Sequence, residues 1–393
     1  MKSRPKVFIA ILGIIFFTLG IYSFWSKNTD QGELSEKLEA IMDNLVTGEE
    51  IQSAVVVVKN FENELIWAGS KGLANKEKQV DITVNSHIFI ASITKLFTAT
   101  VIMQMHQQGL LDINNSIADY LPERLYSNIH VYKGIDYSTE ITVKQLLAHS
   151  SGIADYYSGK PLKNEGLFDV FLAQPSQKWT IEETINRTKN HLSPNDRPGK
   201  SVLYSDTNYQ LLGKIIENVS GRELYQVYQE FIFLPLGLEN TYLINYPALN
   251  EKQLIADIYH QKKNVTEIRF NGSYWADGGI ISTADDCITF LSALRNGKLI
   301  NHENLELMLR WQKLNFPMHY GLGVMLFKLP KFINYFAEIP ELWGHSGSTG
   351  SFLYYSEEMD LYIAGTINQS SSQIKPFLVI GEILRTIKKS NSD

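Results

Sequence analysis

The chain is nearly devoid of cysteine, since Cys287 is the only one among its 393 residues. A single cysteine excludes an intrachain disulfide bond and a thiolate metal cluster. Cys287 lies in the segment 284–288, whose pattern is that of a helix with a small apolar residue facing inward. This context indicates a core residue rather than a catalytic thiol.

Positive charge is also scarce. The formal net charge is −6, the isoelectric point is near 5.9, and no cluster of lysines or arginines is present. These features exclude nucleic acid as a partner class, because binding to phosphates needs a basic face. The nine histidines show no His-Glu-x-x-His spacing or other metal-ligand pattern, so no metal site is predicted.

One long hydrophobic run is present, and it lies at the N-terminus. The run from Val7 to Trp25 carries no charge and follows Lys2, Arg4 and Lys6. As a helix it would span about 28 Å, close to the thickness of a bilayer core. Its aromatic end is typical of a membrane interface rather than of a cleavage site.

We therefore expect residues 1–27 to form a cytoplasmic stub and a transmembrane signal-anchor, and residues 28–32 to form a tether. Residues 33–393 would form a single enzyme domain outside the cytoplasm, at the cell membrane. The alternative is a secreted protein that loses the segment as a cleaved signal. The orientation follows from the positive charges before the run.

Strand patterns occur at both ends of the remaining chain, and helical patterns fill its middle. This order predicts an α+β fold in which an antiparallel sheet, built from early and late segments, is flanked by helices and interrupted by a mainly helical insertion. The predicted strands are 54–58 and 65–67 in a hairpin, then 320–327, 350–355 and 361–367. The predicted helices are 33–46, Ser92 towards Gly109, 143–147, 209–218, 223–233 and 374–387.

The first candidate for chemistry is Ser92-Ile93-Thr94-Lys95. A serine hydroxyl needs a base within hydrogen-bond reach, and residues at i and i+3 share one face of a helix. A helix N-terminus would add backbone N–H groups where an oxyanion develops. The structural alternative is a capped helix with an exposed lysine. The apolar residues on both sides of the motif argue against that alternative, because they indicate a buried segment.

Two further segments offer groups for a serine mechanism. Tyr204-Ser205-Asp206 precedes a helix and supplies a phenol for proton transfer. Gly344-His345-Ser346-Gly347-Ser348 precedes a strand, and its small residues let a ligand approach backbone N–H groups. The second segment narrowly misses the Gly-x-Ser-x-Gly elbow of α/β-hydrolases, since Ser348 takes the fifth position and no strand–elbow–helix context is present.

Together and in this order, these segments resemble the motifs of the serine β-lactamase and penicillin-binding-protein superfamily. The branch most similar to the chain contains class C β-lactamases, D-alanyl-D-alanine carboxypeptidases and esterases. Three further segments are similar to that branch: Leu146–Gly152, Asp277–Thr283 followed by Asp285, and Tyr320–Gly323. The resemblance covers roughly residues 33 to 388 and implies the β-lactamase/transpeptidase-like fold.

The resemblance also implies a role for each matching residue. Ser92 would be acylated, Lys95 would accept or relay its proton, and Tyr204 would exchange a proton with the nucleophile or the leaving group. The backbone N–H groups of Ser92 and Ser348 would form the oxyanion hole. The residues expected at the bound substrate are Asp206, His345, Ser346 and Gly347. No cofactor or metal is implied.

Two positions depart from the motifs of the family. Asp206 stands where an asparagine is usual, and a carboxylate cannot donate a hydrogen bond. If it faces the site, it would hold Lys95 as an ammonium and disfavour substrates with a nearby carboxylate, such as β-lactams. His345 stands where efficient β-lactamases have lysine, so rapid antibiotic hydrolysis is not expected.

The predicted function is hydrolysis of an ester or amide through acyl-Ser92, of the carboxypeptidase or esterase type. The substrate would be a small molecule or a peptide, with cell-wall peptides favoured by family analogy. One alternative is a penicillin-binding sensor that deacylates slowly, and another is a degenerate scaffold for protein partners. His149 is interpreted as structural, and Trp275, Tyr274 and Trp343 either line the cleft or pack in the core.

Overall fold

A computed structural model describes residues 32–47, 50–160, 166–246, 254–331, 334 and 338–390. Most of these residues belong to a large antiparallel sheet, to the helices on its two faces, or to the helical region inserted between its early and late strands. The predicted anchor segment and its tether lie outside the described residues, except for Gly32.

The largest sheet has nine strands in the order β11-β12-β13-β14-β15-β16-β1-β2-β3. Its neighbouring strands pair antiparallel, including β1 with β16, so the early and late segments of the chain meet inside the sheet. The predicted origin of the sheet from both chain ends is therefore confirmed. The strands are β1 Ser53–Asn60, β2 Leu65–Asn75, β3 Val80–Asp81, β4 Ile88–Phe89, β5 Val131–Tyr132, β6 Ile135–Asp136, β7 Tyr242–Leu243, β8 Tyr259–His260, β9 Lys263–Asn264, β10 Ile280–Ser282, β11 Gln312–Lys313, β12 Met318–Tyr320, β13 Met325–Phe327, β14 Leu342–Ser346, β15 Ser351–Ser356 and β16 Leu361–Thr366.

Helices cover both faces of this sheet. The helices are α1 at 32–46, α2 Thr94–Gln107, α3 Glu123–Tyr126, α4 Val143–Leu147, α5 Leu167–Ala173, α6 Ile181–His191, α7 Asp206–Ser220, α8 Leu224–Tyr228, α9 Leu234–Leu236, α10 Ala284–Arg295, α11 His302–Met308 and α12 Lys375–Ser390. Alternate residues of β1 point to opposite faces. Val56 and Val58 pack with Met42 of α1 and Ile383 of α12, whereas Val57 faces the core around α2 and α10.

A second, three-stranded sheet supports the region of the sequence motifs. It has the order β4-β10-β7, so β10 lies between the strand that precedes Ser92 and a strand from the insertion. The N–H of Ile90 donates to the carbonyl of Ile280 at 3.2 Å. These bonds hold the turn that carries Ser92 against the segment that follows Asp277.

Three predicted elements differ from the structure. The single strand predicted at 320–327 is a hairpin of β12 and β13, because Gly323 adopts a φ of +79° and its chain turns against Ala99 of α2. The helix predicted from Ser92 is preceded by a 3-10 turn, Ala91–Ile93, so Ser92 lies before α2. The helix predicted at 223–233 consists of α8 and a π-helical turn at Gln229–Phe233.

Two further predictions concern the membrane and the lone thiol. Within the described ranges, no helix combines the length and the apolar character needed to cross a bilayer. Cys287 is buried in α10, and burial raises the pKa of its thiol to about 12. A protonated, enclosed thiol agrees with the predicted role of Cys287 as a core residue.

Candidate active site

The turn that carries Ser92 is fixed from two sides. Ala91, just before the serine, has a φ of +47°, an uncommon conformation for a residue with a side chain. The hydroxyls of Thr349 and Ser351 donate to the carbonyls of Phe89 and Ile90, at 2.9 and 2.8 Å. The start of β15 therefore holds the chain immediately before Ser92.

The contact between the start of β15 and the chain before Ser92 also requires glycine at position 347. A Cβ at this position would lie 2.0 Å from the Ser351 hydroxyl and 2.4 Å from the carbonyl of Ile90. The turn between β14 and β15 can approach the nucleophile segment only because it carries no side chain there. This approach places the backbone of Ser346, Gly347 and Ser348 at the wall of the cleft that contains Ser92.

Lys95 lies one turn after Ser92 and is fully buried. Its Nζ donates to Ser92 Oγ at 3.1 Å and to the backbone carbonyl of Asp277 at 2.6 Å. The third neighbour is Asp206, whose Oδ1 lies 2.5 Å from Nζ in an ion pair that lacks regular hydrogen-bond geometry. The structural alternative of an exposed lysine is therefore wrong.

The charge of Lys95 follows from these surroundings. Burial by itself lowers the pKa of the amine, but the neighbouring groups, with the negative charge of Asp206 first among them, outweigh burial and raise the pKa above its usual range. Lys95 is an ammonium at neutral pH. Asp206 faces the site and holds this charge, which is the arrangement that the sequence hypothesis required.

Tyr204 stands beside this pair. The Lys95 Nζ lies 5.0 Å from the centroid of the Tyr204 ring. Burial raises the pKa of the phenol above its usual range, while the Lys95 charge opposes burial. Tyr204 is therefore a neutral phenol, and its hydroxyl makes no regular hydrogen bond with the described residues although Ser92 and Lys95 are close to it.

His149 holds the loop that carries Tyr204. Its Nδ1 accepts the N–H of Ser205 at 3.2 Å, and its ring lies 4.2 Å from the ring of Tyr204, centroid to centroid. Burial, the Lys95 charge and His345 lower the pKa of His149 well below its usual value. This neutral, buried histidine agrees with its interpretation as a structural residue.

His345 is enclosed in the protein rather than exposed to the cleft. Its side chain has no exposed surface, and its Nδ1 donates to the carbonyl of Ser346 at 2.8 Å. Its Nε2 lies 3.1 Å from the hydroxyl of Tyr320, which can donate to it. Burial and the Lys95 charge lower the pKa of His345 to about 3, so the ring is neutral. In this arrangement His345 orients the end of β14 and Tyr320, and it offers no positive charge to a substrate.

Two aspartates for which the sequence predicted no role complete the site. Asp155 accepts the N–H of Asp206 at 2.9 Å, and Asp277 accepts from Tyr156 and Gln210 at 2.7 and 2.6 Å. Burial and the negative charge of Asp206 raise the pKa of Asp155 to about 6 and that of Asp277 to about 7. The sequence contained one signal for this role, because Asp277 is the first residue of a segment that is similar to the family's motifs.

The cleft that these groups share has a volume of about 510 Å³. Its walls bring together Ser92, Tyr204, Asp206 and the segment 346–348, together with Tyr274 from the insertion. The backbone N–H groups of Ser92 and Ser348 have no acceptor among the described residues, as an oxyanion hole requires. Trp275 and Trp343 are buried in the core, so only Tyr274 of the three ambiguous aromatics lines the cleft.

The acidic residues are also the groups to consider for a metal. Across the ranges that the structure describes, no three His, Cys, Asp or Glu side chains are arranged to hold a metal ion. The cation that Asp206 contacts is the ammonium of Lys95.

We expect the free energy of unfolding to fall as the pH rises towards 7. In the unfolded chain Asp277 would lose its proton near pH 3.8, whereas in the folded protein it keeps the proton up to about pH 7. Between these values the folded state binds more protons, so stability is lost as the pH rises. Urea unfolding between about pH 5 and pH 8 would measure this loss, and Asp277→Asn should reduce it.

The matched control is Glu62→Gln, which removes one charge from an exposed position. It should leave the slope of stability against pH unchanged. A slope that is equally steep in Asp277→Asn would contradict the assigned protonation of this carboxyl.

Comparison with known proteins matches this chain to beta-lactamases, penicillin-binding proteins and an amidohydrolase. The profile of the beta-lactamase family matches residues 38–376. A penicillin-binding protein of Bacillus subtilis is 25% identical over 75% of this chain and 64% of its own length, so the chain spans less than two thirds of that relative. A D-stereospecific amidohydrolase from a Streptomyces species superposes with a TM-score of 0.71 at 26% identity, covering 88% of this chain and 98% of its own. A penicillin-binding protein homologue from Pyrococcus abyssi superposes with a TM-score of 0.73 at 25% identity, over 90% of this chain and 77% of its own.

Proposed function

This chain belongs to the beta-lactamase family, and from that premise we propose that it is a serine hydrolase. We propose that it cleaves esters or amides that carry no carboxylate beside the scissile bond. The observation that carries the proposal is the charge of the cleft. Among the described residues, its walls include the carboxylates of Asp155 and Asp206, together with Asp277, which keeps its proton up to about pH 7, but no lysine or arginine.

The chemistry proceeds through two acyl transfers. Ser92 Oγ would attack the substrate carbonyl, and the oxyanion would form against the N–H groups of Ser92 and Ser348. Collapse breaks the bond to the leaving group, which takes a proton from the neutral phenol of Tyr204. Water then attacks acyl-Ser92 and gives a proton back to Tyr204, and the acid product leaves as Ser92 Oγ takes back the proton that it had passed on.

Attack by Ser92 requires a base that accepts its proton, and Lys95 is already protonated in the resting site. The Lys95 ammonium donates to Ser92 Oγ and to the Asp277 carbonyl, and its charge pairs with Asp206 Oδ1. Lys95 can receive the serine proton only after giving one up, either to Asp206 or to solvent at high pH. We therefore expect the rate of acylation to rise with pH through the alkaline range, since the pKa of Lys95 is raised.

Substrate charge decides between the activities that share these motifs. A carboxylate beside the scissile bond, as in a penicillin or a D-Ala-D-Ala peptide, would enter near Asp155 and Asp206. The ammonium of Lys95 is buried behind this wall and paired with Asp206, the described walls hold no other ammonium or guanidinium, and the neutral His345 supplies no positive charge. Neutral and ammonium-bearing acyl groups avoid this repulsion, which favours an esterase or amidase such as the similar Streptomyces amidohydrolase.

Asp206→Asn tests this assignment. Removing one negative charge from the wall should raise the ratio of penicillin acylation to neutral-ester hydrolysis about tenfold at neutral pH, because a repulsion is lost and an amide donor is gained. The two rates would be measured on the same preparation, so a general change in Lys95 basicity cancels in the ratio.

The matched control is Asp285→Asn, which removes a carboxylate that pairs with Lys59 away from the cleft. This variant should keep the wild-type ratio. If Asp206→Asn also keeps it, then Asp206 does not select against carboxylates and the proposed substrate class is wrong.

A second candidate function is a penicillin-binding sensor that is acylated and turns over slowly. The observation in its favour is the protonated state of Lys95, because hydrolysis of acyl-Ser92 also needs a base. Loss of a covalent adduct within minutes would favour the hydrolase, and an adduct that persists for hours would favour the sensor.

The location of the enzyme is a separate proposal. We propose that residues 1–27 anchor the protein in the cell membrane and that the catalytic region lies outside the cytoplasm. The uncharged run from Val7 to Trp25 after three positive residues supports this arrangement. Membrane fractionation of the full chain, compared with a variant that begins at Gln31, tests it. Equal distribution of the two would contradict the anchor.

A further inference from the structure

A second cavity opens beside the catalytic cleft. It has a volume of about 240 Å³, and we call it the annex. Its walls are largely apolar and include Phe89, Ile258, Val265, Ile268 and Tyr274. Tyr274 and Ser348 line both the annex and the cleft, so the two cavities adjoin at these residues.

The annex lies on the side of the cleft away from the proton donor. The ring of Tyr204 lies 6.0 Å from that of Tyr320 and 6.5 Å from that of His345, centroid to centroid, which places it towards β12 and β14. Met318 and Met325 line that side of the cleft and are absent from the annex. Because the leaving group must reach Tyr204, the annex faces the acyl part of the substrate.

One charged residue lies in the wall of this apolar cavity. Arg269 is only 4% exposed, and its Nε and Nη1 atoms have no hydrogen-bond acceptor among the residues that the structure describes. The guanidinium packs against the ring of Phe270, with Cζ 4.6 Å from the centroid. Burial lowers the pKa of Arg269 to about 10, so it remains charged at neutral pH.

The carboxylate of Asp257 opposes the effect of burial on the Arg269 pKa, but it does not pair with the guanidinium directly. Asp257 accepts hydrogen bonds from Asn75 and Thr266 at 3.3 Å, and Arg269 Nε and Nη1 have no acceptor among the described residues. A buried guanidinium without a paired anion is unfavourable, and guanidinium groups bind carboxylates in a planar, two-pronged geometry. The annex is therefore an apolar cavity whose wall includes a buried cation without a paired anion among the described residues.

We propose that the annex is the acyl-side subsite of the enzyme and that Arg269 binds a carboxylate at the far end of an apolar acyl chain. This inference rests on the proposed function, since it describes the substrate of the same site. It distinguishes two positions at which a substrate can carry a carboxylate. A carboxylate beside the scissile bond meets Asp155 and Asp206, whereas one at the far end of the acyl chain meets Arg269.

Three p-nitrophenyl esters test the subsite on the full chain in detergent: the acetate, the hexanoate and the monoester of adipic acid. The adipate ester differs from the hexanoate by its terminal carboxylate. We expect the wild type to hydrolyse the adipate monoester with a kcat/KM at least about tenfold above that of the hexanoate. Arg269→Met should reduce this ratio to about one or below.

Two further variants make the result specific. Arg269→Lys keeps a positive charge without the two-pronged geometry and should give an intermediate ratio. Arg222→Met removes an exposed arginine that pairs with Glu230, and it should leave the ratio unchanged. If Arg269→Met does not fold, the wild-type ratio and Arg269→Lys decide the question.

The outcomes separate the subsite from the proposed function. A wild-type ratio of one or less, with the acetate hydrolysed, would overturn the subsite and leave the hydrolase intact. A high ratio that neither Arg269 variant changes would also overturn the subsite. Failure of all three esters, together with the absence of an acyl adduct on Ser92, would overturn the proposed function as well.

Discussion

Replacing Ser92 with alanine is expected to abolish covalent labelling of the chain by a fluorophosphonate and to remove its hydrolytic activity. The hydroxyl of Ser92 lies 3.1 Å from Lys95 Nζ in the wall of the cleft, where it can form the acyl bond. Removing a catalytic serine lowers kcat by about 10⁶-fold in comparable enzymes. Intact-protein mass spectrometry measures the result directly, as one added reagent mass on the wild type and none on the variant.

Two neighbouring serines provide the controls. Ser346 and Ser348 line the same cleft, yet their hydroxyls are not placed beside Lys95. Ser346→Ala and Ser348→Ala should therefore keep the adduct. Labelling that persists in Ser92→Ala would show that a different residue is the nucleophile. A penicillin in place of the fluorophosphonate should give a weaker adduct on the wild type if the acidic cleft repels carboxylates.

Replacing Lys95 with methionine is expected to lower kcat/KM for a neutral ester by about 10³-fold. Lys95 is the one basic side chain in contact with Ser92 Oγ among the described residues. The methionine has a similar volume, so packing around α2 should be preserved. The free energy of unfolding should nevertheless fall by about 3 kcal/mol, because the charge of Asp206 loses its partner in a largely buried position.

A double variant separates catalysis from stability. Lys95→Met combined with Asp206→Asn removes both charges, so stability should recover while activity stays low. Steady-state kinetics and urea unfolding on the same preparations give both quantities. Activity within about tenfold of the wild type in Lys95→Met would exclude Lys95 from proton transfer and turn attention to Asp206 as the acceptor.

The charges around Lys95 explain why aspartate rather than asparagine at position 206 has two separate effects on the site. With asparagine at position 206, the ammonium would lose the negative charge that contributes most to raising its pKa. With aspartate, the proton is held more tightly, and the cleft wall becomes acidic. The same substitution therefore affects both the basicity of Lys95 and the charge of the substrate that can approach it.

Much of the site was predictable because its central contact is local. Ser92 and Lys95 are three residues apart, and the helical repeat brings such residues together in any chain that folds as a helix here. The antiparallel sheet from both chain ends also followed from the apolar, strand-like segments at 54–58 and 361–367. Periodicity could not show the break at Gly323, since a turn inside an apolar run depends on its contact with α2.

The sequence by itself thus determined the order of the motifs and the class of fold, and it predicted Ser92 as the nucleophile with Lys95 beside it. Only the tertiary structure decided that Asp155 binds the N–H of Asp206, that the Asp277 carbonyl contacts the Lys95 ammonium, that His345 is enclosed and neutral, and that Arg269 is buried beside the cleft. The physical reason is that hydrogen-bond spacing within a helix depends on near neighbours in the chain. Burial and electrostatic environment depend on residues far apart in sequence, which only packing brings together.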